Sequence, residues 1–242
     1  LRLSTLNLAD QIIFNSKNTK TSLLNWDKFI SKSVKKRIIY NGVDIKKILN
    51  EKDSNYFDFN SNINNKFLIG TVGRLEKVKD HKTLIKAFNL FNKKYSNSKL
   101  IIVGDGSQME FLKKLSKKLN IYNSVIFTGL LSRKNVYKII NGLDLFVISS
   151  KYEGFCNAMV EAMVAENSII ASNIDPLPEI LDKDNGIFFE QGNAGDLAKK
   201  MIYLYQNKKL RKKLAKKAKE YAINNYSLEK CVFEYLNVYQ EL

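Results

Sequence analysis

The chain has 242 residues, enough to bury one large core or two modest ones, and its apolar content of 45% is ordinary for a globular protein. A formal net charge of +16 suits an anionic substrate, an anionic membrane or nucleic acid, although lysines spread over a solvated surface need no partner at all. Two cysteines, Cys156 and Cys231, form neither a disulfide framework nor a metal-ligand spacing. No apolar run approaches the roughly 18 to 20 residues of a membrane span, and no signal peptide is visible, so a reducing, cytoplasmic setting is expected.

In chain order, "DQIIFNS" (10–16) and "KRIIYNGVD" (36–44) read as strands, the second ending in an Asn-Gly turn. They are too few for a domain, and residues 1–45 are expected to be the tail of an earlier αβ unit. The polar, Asn-rich "EKDSNYFDFNSNINN" (51–65) marks a linker, bounded as 46–65. From Lys66 onward, short apolar runs alternate with longer amphipathic ones. The strands are "FLIGTV" (67–72), "KLIIVG" (99–104), "SVIFTG" (124–129), "LDLFVISS" (143–150), "SIIAS" (168–172) and "GIFFE" (186–190). Between them, "HKTLIKAFNLFNKKY" (81–95), "SQMEFLKKLSKKLN" (107–120), "KNVYKIING" (134–142) and the run after Phe155 carry apolar residues at helical spacing. This alternation predicts an α/β fold, a doubly wound parallel sheet covered on both faces, over residues 66–225. The end of the chain is helical. "DLAKKMIYLYQN" buries Leu197, Met201, Ile202 and Leu204, "KKLRKKLAKKAKEYA" (208–222) is narrow and basic, and "SLEKCVFEYLNVYQEL" (227–242) opens on Ser227 as N-cap. The stripe Val232, Phe233, Leu236 and Tyr239 must pack on something.

Parallel sheets bind ligands beyond the carboxyl ends of their strands, so the residues just after each strand carry the information. After the first comes "GRLEKVKDH". Gly73 allows close approach to the backbone, and Arg74 and Lys79 match phosphate oxygens as a fork and a point charge. After the second comes "VGDGSQ", whose Gly104 and Gly106 begin a dinucleotide fingerprint that Met109 breaks, and which a tight strand-to-helix turn explains equally well. After the fourth comes "SSKYEGFCNAMVEAM". Glu153 precedes the helix. Gly154, Phe155 and Asn157 place backbone N–H groups at its start, a natural anion site. Glu161 lies two turns further on, where a carboxylate can accept from a ribose diol. The set suits a long ligand of hydroxylated group, pyrophosphate and ribose.

"IYNGVD", "GRLEKVKDH", "IIVGDG" and "SSKYEGFCNAMVEAM", in this order and spacing, resemble the retaining glycosyltransferases of GT-B fold, family 4. The resemblance runs from about Ala9 to the C-terminus and is carried by Arg74 and Lys79 after a glycine and by Glu153, seven residues, then Glu161. It implies two Rossmann-like domains facing a cleft, of which this chain holds mainly the C-terminal, donor-binding one. Residues 226–242 would then cross back toward the N-terminal part. Arg74 and Lys79 would neutralise the diphosphate leaving group, and Glu153 with the nearby backbone would hold the sugar. Glu161 would hold the ribose, and "TGLLSR" (128–133), with Leu130, would border the base. Catalytic roles therefore fall to Glu153, Arg74 and Lys79, and substrate binding to Gly73, Leu130, Gly154, Phe155, Asn157 and Glu161. Retention is ascribed in the family to attack from the leaving-group face, so the glutamates are not a glycosidase pair. No metal and no cofactor are expected.

The partners implied are a UDP-, GDP- or ADP-type nucleotide-sugar and a glycan or lipid-linked acceptor in surface polysaccharide or glycolipid synthesis. Peripheral contact with the inner face of a membrane is a further expectation; nucleic acid is not. Two features depart from the family. Asn167 and Ile169 stand where a Gly and a Pro often follow the second Glu, Asn being the non-glycine residue that tolerates left-handed geometry. Most of an N-terminal domain is missing, so the chain is expected to be a fragment, to need a separate acceptor domain or to self-associate. His81, the single histidine, is expected to start a helix. The rival readings are a nicotinamide-dependent oxidoreductase, weakened by the missing third glycine, and a non-catalytic basic module for nucleic acid or membranes, which lacks aromatic–basic interleaving.

Overall fold

The computed structural model describes residues 9–26, 34–52, 63 and 65–242. Most of the polar stretch expected as a linker therefore lies outside the described residues. At the start of the bounds 46–65, Ile45–Asn50 form a helix, α2, capped by the Asp44 carboxylate on the Lys47 N–H, with Ile48 fully buried. Ahead of it, β1 (Gln11–Phe14) and β2 (Lys35–Ile38) pair in parallel across α1 (Lys17–Trp26) over a small core of Ile12, Phe14 and Val34. The second predicted strand is thus shorter than expected. Asn41-Gly42 is not a turn either. The chain runs on, Val43 bridges to Ser227, and a Cβ on Gly42 would lie 2.6 Å from Leu228 Cα. Glycine is needed there because the last helix crosses over the backbone.

The remaining strands are β3 (Phe67–Val72), β4 (Ser98–Val103), β5 (Val125–Gly129), β6 (Leu145–Ile148), β7 (Ser168–Ser172) and β8 (Ile187–Phe189). They form one parallel sheet in the order β5-β4-β3-β6-β7-β8. Winding outward from β3 and then from β6 is the doubly wound, Rossmann-like arrangement the alternation predicts. Alternate residues feed opposite faces, as the pleat requires. Leu100, Ile102, Leu145 and Val147 pack beneath α3 (His81–Lys94), α4 (Met109–Lys118) and α8 (Ala194–Gln206). Ile101, Val103, Phe146 and Ile148 pack beneath α5 (Arg133–Asn141), α6 (Asn157–Val164) and α9 (Lys208–Asn225). The narrow apolar side of α9 is Leu214, Ala215, Ala218 and Ala222. Its small residues let the helix lie close to α6 while its lysines face outward.

Three smaller expectations resolve differently. The left-handed residue after α6 is Glu166, at φ 64°, and not Asn167. Asn167 is buried and donates to the Ile140 carbonyl. Glu166 is held by Lys219 at 2.9 Å, a contact that offsets part of the strain. Ile202 is only partly buried. In α10 (Leu228–Gln240), Ser227 caps Lys230 N as predicted, but Val232, Phe233, Leu236 and Tyr239 are exposed and Val238 is the buried residue.

One carboxylate makes several of the hydrogen bonds that fasten the front segment to the large sheet. Glu179, on the short helix α7 (Leu177–Ile180), accepts from the Lys17 and Asn18 N–H groups at 2.9 Å each and from Tyr40 Oη at 3.3 Å. The Ser16 hydroxyl accepts from the Thr19 N–H at 3.0 Å, and the Glu179 carboxylate satisfies the two N–H groups before it, which have no partner within the helix. Tyr40 also meets Phe155 and Tyr226, at ring separations of 5.9 and 5.7 Å. Glu179→Ala is expected to lower stability by about 1–2 kcal/mol, the upper part of the range for losing a helix cap, and Glu179→Gln by less; urea unfolding checks both.

Candidate functional site

The order of the strands reverses between β3 and β6, and their loops diverge at the carboxyl edge. The residues singled out after these strands meet here. The loop after β3 is sewn to the loop after β4. Leu75 N donates to the Asp105 carbonyl at 2.8 Å, Gln108 N to the Leu75 carbonyl at 2.8 Å, and Ser107 Oγ to Glu76 at 2.7 Å. Gly104 and Gly106 serve this contact. Both have positive φ, 132° and 156°, and a Cβ on Gly104 would fall 2.0 Å from the Gly73 carbonyl oxygen. The glycine pair that began a dinucleotide fingerprint is thus explained by packing of two loops.

That packing leaves Arg74 exposed, with no ion pair among the described residues. A short turn at Lys77–Lys79 then carries Lys79 inward. Its Nζ donates to both oxygens of Glu153, at 2.7 and 2.8 Å, and Ser150 Oγ donates to the same carboxylate at 2.6 Å. The two loops are further joined by Lys151 N to the Val78 carbonyl at 2.7 Å and Ser149 Oγ to the Lys79 carbonyl at 2.9 Å. The Glu153 side chain is only 7% exposed, and removing its partner would leave a buried carboxylate without compensation. Above Gly73 there is open space. The nearest atom to a Cβ built there is Lys79 Cε at 3.9 Å.

Glu161 sits apart from Glu153, on α6. Its side chain is 2% exposed and its carboxylate meets Arg133 Nη1 at 2.9 Å. Burial pushes its pKa above the ordinary carboxylate value, and Arg133 and a hydrogen bond from Tyr137 oppose that shift. Arg133 is the first residue of α5, whose start is capped by Ser132, and it lies 5.8 Å from the Tyr137 ring. Glu161, Arg133, Tyr137 and Asn157 line a cleft of about 660 Å³, closed on its other side by Gly42, Asp44 and Lys47 of the front segment and α2. Asn41 Nδ2 also reaches Asn157 Oδ1 at 3.1 Å.

Of the predicted residues, Gly73, Arg74, Lys79 and Glu153 come together at the reversal point, Gly154 and Phe155 follow in the same loop, and Asn157 and Glu161 open on the adjoining cleft. No side chain caps the start of α6, so its first N–H groups stay available. Phe155 offers only its backbone, since its ring is buried against Tyr40 and Tyr226. Leu130 is not brought in: it is 80% exposed and does not line the cleft. Residue-level reading missed Arg133, Tyr137 and Ser150. The first closes the stretch assigned to the base, and the last stands within the quoted Glu153 segment.

His81 and Cys156 are both buried. Burial lowers the His81 pKa to about 4 and raises that of Cys156 to about 12, leaving a neutral imidazole and an un-ionised thiol. Among the described residues no three His, Cys, Asp or Glu side chains form a metal-binding group. The one Asp-x-Asp spelling, Asp182-Lys183-Asp184, lies before β8, where the Asp182 carboxylate accepts from the Asp184 and Asn185 N–H groups. Gly104→Ala is expected to destabilise the fold by more than about 1 kcal/mol, because its φ and the Gly73 carbonyl both exclude a side chain; thermal unfolding measures it.

The family model for glycosyl transferases group 1 matches residues 53–221. An uncharacterized glycosyltransferase of Methanocaldococcus jannaschii is 30% identical over 238 residues, covering 97% of this chain and 59% of that protein. A poly(ribitol-phosphate) alpha-N-acetylglucosaminyltransferase of Staphylococcus aureus is 30% identical over 174 residues, covering 71% of this chain and 35% of that protein. Among solved structures, Anabaena HepE in complex with UDP and glucose superposes with a TM-score of 0.85 at 20% identity, over 100% of this chain and 68% of that one. The chain thus spans little more than half of the M. jannaschii relative, and its six-stranded sheet has the fold of a GT-B half. The chain belongs to the glycosyl transferases group 1 family.

Proposed function

We propose that this chain forms the donor-binding half of a retaining glycosyltransferase, which moves a sugar from a nucleotide-sugar to a glycan or lipid-linked acceptor. The observation that carries this reading is the Lys79–Glu153 pair at the strand-order reversal, with Arg74 exposed in the same loop as Lys79, beside a cleft that holds the carboxylate of Glu161.

Breaking a sugar–phosphate bond places negative charge on the leaving oxygen. Cations and N–H groups already fixed there stabilise the transition state more than the ground state. Arg74 is free to meet the diphosphate, and the open start of α6 adds N–H groups. Lys79 is shared: held by Glu153, it can turn one proton toward phosphate while Glu153 keeps an acceptor for a sugar hydroxyl. Glu161 takes the ribose diol. UDP is the first nucleotide to try, because HepE was solved with it. The S. aureus relative's name specifies an α-linked transfer, the outcome of retention when the donor is itself α-linked. Peripheral contact with an anionic membrane through α9 completes the reading. Lys208, Lys209, Lys212 and Lys213 are exposed on that helix, and each basic residue at such a surface adds about 1 kcal/mol. More chain should co-sediment with anionic than with neutral vesicles, and equal partition would remove this contact.

Calorimetric titration with UDP, GDP and ADP, with chelator present, is the direct experiment. Binding of at least one is expected. Arg74→Ala should weaken it by about 1.5–3 kcal/mol, the range for hydrogen bonds to charged groups. Glu161→Ala should weaken the free nucleotide, whereas Glu153→Gln should leave the nucleotide intact and lower affinity for the nucleotide-sugar. Failure of all three nucleotides to bind would sink the donor-site reading; equal losses in both glutamate variants would sink the division of roles.

A further inference from the structure

Glu161 already has an occupant. Its carboxylate is almost wholly buried, and the Arg133 guanidinium stands 2.9 Å away on the cleft side. The pair is lopsided: the carboxylate is 2% exposed and the guanidinium side chain 68%. An arginine serving only to neutralise a buried charge would be expected to be buried with it. Here the cation comes from the first residue of α5, on the rim of the cleft, and can swing away without repacking any core residue. While paired with Glu161 it already lies 5.8 Å from the Tyr137 ring, and Asp44 lines the same cleft. Glu161 cannot move in this way, since α6 is buried along most of its length.

A buried carboxylate that loses its cation is costly, so whatever displaces Arg133 must hydrogen-bond to Glu161 in its place, beside the hydrogen bond from Tyr137. A vicinal diol does so with its two hydroxyls. The geometry points to Arg133 as an intramolecular competitor for the ribose subsite: it holds Glu161 when the cleft is empty, yields to the ribose diol, and reclaims the carboxylate as the nucleoside diphosphate leaves. This rests on the assignment of Glu161 to ribose made above. It goes further by naming a residue that sets how tightly the nucleotide is held. Arg133 would thereby lower nucleotide affinity and ease release of the product.

The experiment is calorimetry on the whole chain with whichever of UDP, GDP and ADP binds most tightly, and with its 2′,3′-dideoxy counterpart. With its cation largely in solvent, the ion pair is worth about 1 kcal/mol, so removing the competitor should tighten the ribonucleotide about three- to fivefold in Arg133→Ala. The dideoxynucleotide has no diol with which to displace Arg133, and its affinity should not change. Arg133→Gln should act in the same direction, more weakly, and carries the test if Arg133→Ala is unstable; Arg133→Lys should behave like the unaltered chain. Unchanged or weaker ribonucleotide binding in both Arg133→Ala and Arg133→Gln would overturn the proposal. So would equal tightening of the ribo- and dideoxynucleotides, which would mean a gain unrelated to the diol. If the unaltered chain binds a nucleoside diphosphate but the variants do not discriminate, the competitor role fails while the donor-site reading stands. If the unaltered chain binds none, both fail.

Discussion

The reversal of strand order between β3 and β6 is the constraint on which the rest of this protein depends. Parallel strands present all their carboxyl ends along one edge, and crossovers of fixed hand carry the chain outward in opposite directions from these two strands. Their loops must therefore part, and a crevice opens where helices on neither face can close it. The Lys79–Glu153 pair spans this crevice, joining residues 74 apart in sequence.

The electrostatics of that edge rest on exchange. Three of its cations are compensated: Lys79 by Glu153, Arg133 by Glu161 and Lys47 by Asp44. A carboxylate buried as deeply as Glu153 or Glu161 would be costly without such a partner, because few solvent dipoles reach it. The same arrangement lets a ligand rich in phosphate and hydroxyl groups enter by replacing internal contacts with its own. Arg74 is exposed and without an ion pair among the described residues, so it can meet an anion directly.

The front segment is tied into the same edge. Glu179 caps α1, Tyr40 packs on Phe155 and Tyr226, and Gly42 allows α10 to cross the backbone. These contacts bring Asn41 and Asp44 to the side of the cleft opposite Glu161. The cleft is thus made jointly by the short leading unit and the large sheet. The apolar residues of α10 that face outward belong to neither core.

The strands from Phe67 onward were legible in the sequence because a parallel sheet covered on both faces needs short, unbroken apolar runs. The helices were legible from their 3.6-residue spacing and, at Ser227, from a capping hydroxyl. Arg74, Lys79, Glu153 and Glu161 could be picked out because a parallel fold gathers its chemistry just after its strands. None of that reasoning could show that Lys79 would be held by Glu153, that Arg133 would cover Glu161, or that Gly42 would lie under α10. Nor could it show that the left-handed residue would be Glu166 and not Asn167. Spacing along a chain is a local property and determines which element a residue joins and which face it takes. Ion pairs, close backbone approaches and burial depend on which strands become neighbours, and that was decided only when the whole sheet closed around one core on each face.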